Sequence, residues 1–288
     1  MSRSKKKPIL IRQVWAGNLT EELSLINCIT LRYPFVSMDT EFPGTIFHPR
    51  VEKNQLSRLP PDCNYRVMKA NVDALNIVQL GLTLSDADGN LPESLTHSFV
   101  WEFNFRDFDL ESDLQNRDSV ALLEKQGIDF YKNRKLGIDS RVFGCLFLKS
   151  RLVSKFNRPS AVTWITFHSA YDFGFLLKIL TGGRLLPANL RTFMTLVNMI
   201  FGGAVYDIKH MIRFCDGLYG GLERVAKKLG VDRVAGKSHQ AGSDSLLTMQ
   251  TFMKLKELYF NREGGEEEIG KFQCVLHGLE VERTVSFV

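Results

Sequence analysis

Two carboxylates two residues apart in a β-prone segment restrict this chain more than any other feature. Phe35-Val36-Ser37-Met38-Asp39-Thr40-Glu41-Phe42-Pro43-Gly44 reads as a short strand closed by a Pro-Gly pair. Successive strand side chains point to opposite faces, so Asp39 and Glu41 share one face while Val36, Met38, Thr40 and Phe42 fill the other. Neighbouring acids repel and destabilise the fold unless something neutralises them, and an all-oxygen pair suits a hard divalent cation. A single Asp-x-Glu is common on solvated strands. This one gains meaning because further carboxylates follow, each at the start of an apolar element.

Along the chain, Ile9 to Trp15 is β-like, and Leu19 to Tyr33 has helical spacing that leads into the Asp39 strand. Prolines and mixed charge over 45–65 read as a long connection, and Asn71 to Leu75 as the start of a second strand region. Asn76 to Leu84 and the alternating Ser98 to Phe105 are strands joined through the turn Asp86-Ala87-Asp88-Gly89-Asn90, a meander or hairpin beside the first strand. Helices are predicted at Ser119–Gln126, Ile128–Leu136 and Asp139–Val153. In the last, Val142, Phe143, Leu146, Phe147 and Leu152 form a stripe suited to core or to a partner's docking face.

Ala161 to Phe167 is a buried-type strand, followed by a helix with Phe173, Leu176, Leu177 and Leu180 at helical spacing that stops at Gly182-Gly183. A helix over Pro187–Phe201 precedes the short strand Ala204-Val205-Tyr206. Asp207 then caps a helix over Ile208–Cys215. Helices at Gly221–Leu229 and from Ser243-Asp244 to Phe260 complete the reading. Strands followed by alternating helices and strands imply an α/β fold, a mixed sheet flanked by helices, whose sites form at strand ends.

At 288 residues and 44% hydrophobic, the chain can bury one large core. The expected organisation is a basic tail over 1–8, a single domain over 9–282 and a short tail over 283–288. Five scattered cysteines suggest neither a disulfide framework nor a zinc site and fit a reducing compartment. The charged N-terminus followed by no long apolar run predicts no membrane anchor. A net charge of +5 permits a polyanionic partner without requiring one.

Asp172 opens the helix after the Trp164 strand, and Asp244 opens the last long helix; each alone could simply favour a positive helix end. His239-Gln240-Ala241-Gly242-Ser243-Asp244 adds a histidine, set by a flexible link where a base could reach water held by that acid. His168 near Asp172 is the rival base and Asp207 the rival acid. His48, His97, His210 and His277 read as structural or exposed.

The ordered set Asp39, Glu41, Asp172, His239 and Asp244 resembles the DEDDh exonucleases of the ribonuclease H-like fold. The segments SMDTEFPG, NIVQLGLTLSD, FHSAYDFGFLLKIL, VYDIKHM and KSHQAGSDSLLT look like the CCR-associated factor (Pop-type) deadenylases, nuclease subunits of the CCR-NOT complex. The likeness runs from about Ile9 to Glu282 and is nearest to plant-type members; 141–160, Gly202-Gly203 and Met249-Gln250 depart from it. The resemblance implies a poly(A)-specific 3′-to-5′ exoribonuclease releasing 5′-AMP and using two divalent ions, Mg²⁺ or Mn²⁺. Asp39, Glu41 and Asp244 would hold one ion, Asp39 would also reach the other, with Asp172 acting on it directly or through water, and His239 would serve as base. Poly(A) RNA, the complex's scaffold subunit and its second nuclease are the implied partners, in cytoplasm and nucleus. Phe42, Phe47 and Tyr171 could stack bases. Two other readings stay open: a broader 3′ exonuclease on RNA or single-stranded DNA, and an adaptor in the deadenylation complex with little turnover of its own.

Overall fold

The computed structural model describes residues 7–49, 51, 59–155, 162–202, 204–260 and 269–280. Most of the basic tail, the acidic stretch 263–268 and everything beyond Glu280 lie outside these. Six strands form one sheet in the order β1-β4-β3-β2-β5-β6. They are β1 (Ile9–Val14), β2 (Phe35–Glu41), β3 (Gln79–Ser85), β4 (Ser98–Asn104), β5 (Thr163–Thr166) and β6 (Val205–Asp207). The meander β2-β3-β4 is antiparallel, with Asp39 opposite Gly81 and Gly81 opposite Glu102. Parallel partners flank it: β1 beside β4, then β5 beside β2 and β6 beside β5. The mixed sheet has the ribonuclease H-like architecture.

The helices are α1 (Leu19–Ile29), α2 (Pro61–Ala74), α3 (Arg117–Gln126), α4 (Phe130–Leu136), α5 (Ser140–Phe147), α6 (Ala170–Leu180), α7 (Leu190–Phe201), α8 (Ile208–Met211), α9 (Leu222–Lys228) and α10 (Ala241–Tyr259). A 3₁₀ turn, Ile212–Phe214, continues α8.

Strand alternation gives the sheet two unlike faces. Val36, Met38, Leu80, Leu82, Leu84, Trp101, Phe103 and Trp164 join α1, α2, α5, α6 and α7 in a large apolar core. Their neighbours Ser37, Thr83 and Ser85 are fully buried against α10. There the Ser37 hydroxyl donates to the Ser245 carbonyl at 2.7 Å, and the Thr83 and Ser245 hydroxyls meet at 3.0 Å. Buried polar groups are tolerated only when paired, and these are. A second apolar core continues beneath the far half of α10, built on Ile165, Tyr206, Met249, Phe252 and Leu255.

Three expectations need correction. Asn71 to Leu75 is no strand: it ends α2, because Tyr65, Met68 and Val72 fall on one buried stripe. Asn71 is buried as well, and its side chain accepts the N–H groups of Ile46 and Phe47, pinning the connection that follows β2. The helix expected over Asp139–Val153 stops at Phe147, where the Ser150 hydroxyl folds back onto the Phe147 carbonyl at 2.7 Å. Of its stripe, Phe143, Phe147 and Leu152 are core while Val142 is exposed. The last helix begins at Ala241, two residues earlier than expected, so Ala241 and Gly242 are its first turn and no flexible link.

Candidate functional site

The acids converge where β2 outruns its neighbour. Pairing between β2 and β5 ends at Ser37 opposite Ile165, although β2 continues to Glu41. The unpaired Thr40 N–H is taken by Asp172 from the first turn of α6, at 2.9 Å, and the Thr40 hydroxyl donates to the same oxygen at 2.6 Å. Thr40, which lies on the face opposite Asp39 and Glu41, thus ties the third acid to the strand carrying the first two.

Asp244 comes from the first turn of α10, and the position of that turn is set by β3 and β4. Buried Glu102 accepts the Gly242 N–H at 2.9 Å, and Gln79 accepts that of Ala241 at 3.4 Å. Helix-start donors lacking an intrahelical partner are thereby satisfied. A Cβ on Gly81 would lie 1.8 Å from the Ala241 carbonyl oxygen. Only glycine, directly across from Asp39, lets the helix come this close.

His239 occupies the left-handed region, with φ of 59°, a conformation uncommon outside glycine. Its N–H donates to Asp244 Oδ2 at 2.8 Å, which fixes the turn. Ligand atoms of Glu41, His239 and Asp244 lie within 4.8 Å of one another. Asp39 lines the same cavity of about 430 Å³, together with Arg224, Arg233 and Ser238.

This concentration of negative charge is costly. Burial, followed by the charges of Asp244 and Asp172, holds Asp39 and Glu41 well above the usual carboxylate range. Asp172 is pushed up to about 7, chiefly by burial and against the opposing Thr40 hydrogen bonds. Burial also raises Asp244, countered by Arg233. Three carboxylates raised by burial and mutual repulsion, with an imidazole beside them, fit a divalent cation, whose charge would favour their ionised form.

The structure therefore brings Asp39, Glu41, Asp244 and His239 to one cavity, with Asp172 bonded to Thr40 between the first two. The rivals are placed elsewhere. Asp207 accepts the backbone N–H groups of His168, Ser169, Lys209 and His277, at 2.8, 3.2, 2.9 and 3.0 Å. His168 packs edge-on against His277, their ring centroids 5.1 Å apart. Among the aromatics, Phe42 is committed to stacking on Tyr171 at 5.2 Å, while Phe47 is exposed.

Sequence reasoning missed Arg233, whose Nη2 donates to Asp244 Oδ1 at 2.5 Å, and Glu102. Nothing near Arg233 in the chain marks it out. Glu102 was foreshadowed by its inward-facing place in an alternating strand, where an acid needs a buried partner.

A model of the CAF1 family ribonucleases matches residues 14–142. Probable CCR4-associated factor 1 homolog 10 of Arabidopsis thaliana is 47% identical over 279 residues, covering 96% of this chain and 95% of the relative. The chain belongs to the CAF1 family of ribonucleases. Poly(A) ribonuclease pop2 of Schizosaccharomyces pombe is 41% identical over 251 residues, 87% of this chain and 70% of that protein. The solved S. pombe Pop2p structure, in its Mg²⁺- and Mn²⁺-bound form, superposes with a TM-score of 0.82 over 94% of this chain and 100% of that one. A yeast CAF1 co-crystallised with the NOT1 MIF4G domain gives a TM-score of 0.72 at 34% identity, over 93% and 96% of the two chains. The family model ends before α6, so Asp39 and Glu41 of this CAF1-family chain fall inside the match while Asp172, His239 and Asp244 lie beyond it.

Proposed function

We propose that this chain is a metal-dependent 3′-to-5′ exoribonuclease that shortens poly(A) tails and releases 5′-AMP. The observation that carries the reading is the convergence of Asp39, Glu41, Asp244 and His239 on one cavity, with Asp172 tied to the same strand end through Thr40. In this proposal Asp39, Glu41, Asp172 and Asp244 would together hold two divalent ions. Bound Mg²⁺ or Mn²⁺ supplies Lewis acidity for phosphodiester hydrolysis. His239, exposed at the rim on its fixed turn, accepts the proton of the attacking water. Asp244, held from both sides by Arg233 and the His239 N–H, keeps its orientation through the cycle.

A larger cavity of about 850 Å³ adjoins the site: His168 and Gly220 line it, and their neighbours Phe167 and Gly221 line the acid cavity. Phe47, Tyr171, Tyr219, Lys209 and Arg213 supply it with rings and positive charge. Aromatic faces and cations in a groove suit single-stranded RNA, and we assign the strand's path to it. By its relatives we further assign the chain to a CCR-NOT-type complex with a scaffold subunit and a second nuclease, and as a separate expectation we place its action in cytoplasm and nucleus. Neither a broader exonuclease nor an inert adaptor is favoured by any observation, and an adaptor has no physical reason to bury mutually repelling acids.

The test is a gel assay of purified protein with Mg²⁺ or Mn²⁺ on 5′-labelled RNA ending in an adenosine run, with Asp39→Ala alongside. Stepwise shortening that halts at the first non-adenosine and is absent in the variant is expected. Equal digestion of other homopolymers or of DNA would favour the broader exonuclease. No shortening by a folded protein, alone or assembled, would overturn the enzyme reading.

A further inference from the structure

Among the described residues, Arg233 alone forms an ion pair with the clustered acids. It stands between α9 and α10, its side chain only 13% exposed. Nη2 donates to Asp244 Oδ1 and to Glu223 Oε1, both at 2.5 Å, and Nε donates to Glu223 Oε1 at 2.7 Å. Nη1 reaches the Ser243 hydroxyl at 2.5 Å and the Lys237 carbonyl at 3.3 Å. The guanidinium therefore bridges α9, the loop before α10 and the first turn of α10.

A guanidinium stays charged at every physiological pH. Placed on a carboxylate that is also to ligate a cation, it does two opposed things. It relieves the repulsion among the acids while no cation is bound, and it repels a cation once one arrives. Glu223, whose side chain is 57% exposed, partly neutralises it from the solvent side.

We propose that Arg233 is a built-in counterion: it holds the acid cluster together in the metal-free protein and sets a ceiling on divalent-cation affinity, with Glu223 tuning its strength. It is a positioning residue, acting on the reaction only through Asp244. The inference rests on the metal-site reading above.

Thermal melts of the full chain, stripped with chelator and titrated with Mn²⁺, separate the two claims. Arg233→Met is expected to lower the metal-free melting temperature yet tighten Mn²⁺ binding about tenfold, since one repelling charge is gone. Arg233→Lys keeps the charge and should hold wild-type affinity within about twofold. Glu223→Gln, an exposed change, should weaken Mn²⁺ binding about threefold. Unchanged or weaker binding in Arg233→Met would reduce the arginine to a structural tie and overturn the proposal. Should that variant not fold, unchanged or tighter binding in Glu223→Gln overturns it equally. A wild-type protein whose melting temperature does not respond to Mn²⁺ would defeat the metal-site reading itself, a result distinct from either.

Discussion

Asp207 and the Asp39 cluster are two buried carboxylate systems a few residues from the same strand ends, and they are built on opposite rules. Asp207 is fully buried and surrounded by donors: four backbone N–H groups, from the residues after β5, from α8 and from the C-terminal segment, all point at it. Its charge is spent on holding chain segments together. Asp39, Glu41 and Asp244 instead face one another across a cavity, and among the described residues Arg233 and the His239 N–H are the donors that reach them. A carboxylate encircled by N–H groups is architecture, whereas carboxylates left short of donors and aimed together suit a cation.

The sharpest way to break this comparison is to remove one acid from each system. Asp39→Ala is expected to cut turnover by roughly a thousandfold while the metal-free protein melts no lower than wild type. Asp207→Ala should do the reverse. Leaving several buried N–H groups without an acceptor costs about 3–5 kcal/mol, read by chemical denaturation, with activity lost only as folded protein is lost. If both variants failed by unfolding, the distinction between the systems would be wrong.

Gly81→Ala tests whether the cluster depends on the close approach of α10. The added methyl meets the Ala241 backbone, so the helix start must move. A loss of about 1–3 kcal/mol is expected, with a fall in kcat larger than the folded fraction explains. An alanine variant with wild-type kcat would show that the first turn of α10 has room to spare.

Acidity gives a smaller effect with a definite sign. Asp172 is raised from the ordinary value to about 7, and Asp39, Glu41 and Asp244 are raised too. The native state therefore binds more protons than the unfolded state, and stability falls as pH increases through the interval between the two pKa values. In chelator, the melting temperature should decline from about pH 4 to about pH 7. Asp39→Asn should flatten that decline and raise the metal-free melting temperature by a few degrees, because one repelling charge is gone. A lower melting temperature in that variant would mean that Asp39 is stabilised by its neighbours instead of strained by them.

Much of this was legible in the chain. Alternation in FVSMDTE assigned Asp39 and Glu41 to one face, and the apolar spacing of Phe173, Leu176, Leu177 and Leu180 placed Asp172 in the first turn of its helix. Both are local consequences of strand and helix geometry, which short spacings encode. The Asn71–Leu75 misreading shows the limit. Five residues with one apolar face fit either period, and only the preceding turns of α2, packed against α6 and α7, decide for helix.

What the sequence by itself determined is that Asp39 and Glu41 share one strand face and that Asp172 and Asp244 open helices, because strand and helix periodicity fix these placements over a few residues. Tertiary structure alone decided which acids meet. Thr40 reaches Asp172 across 132 positions, Glu102 reaches Gly242 across 140, and Arg233 closes on Asp244 through a bend of the chain. Such contacts arise from sheet order, from the space a glycine leaves opposite Asp39 and from the way α10 lies over the polar face. No local pattern records them, since the free energy that sets them belongs to the packed whole.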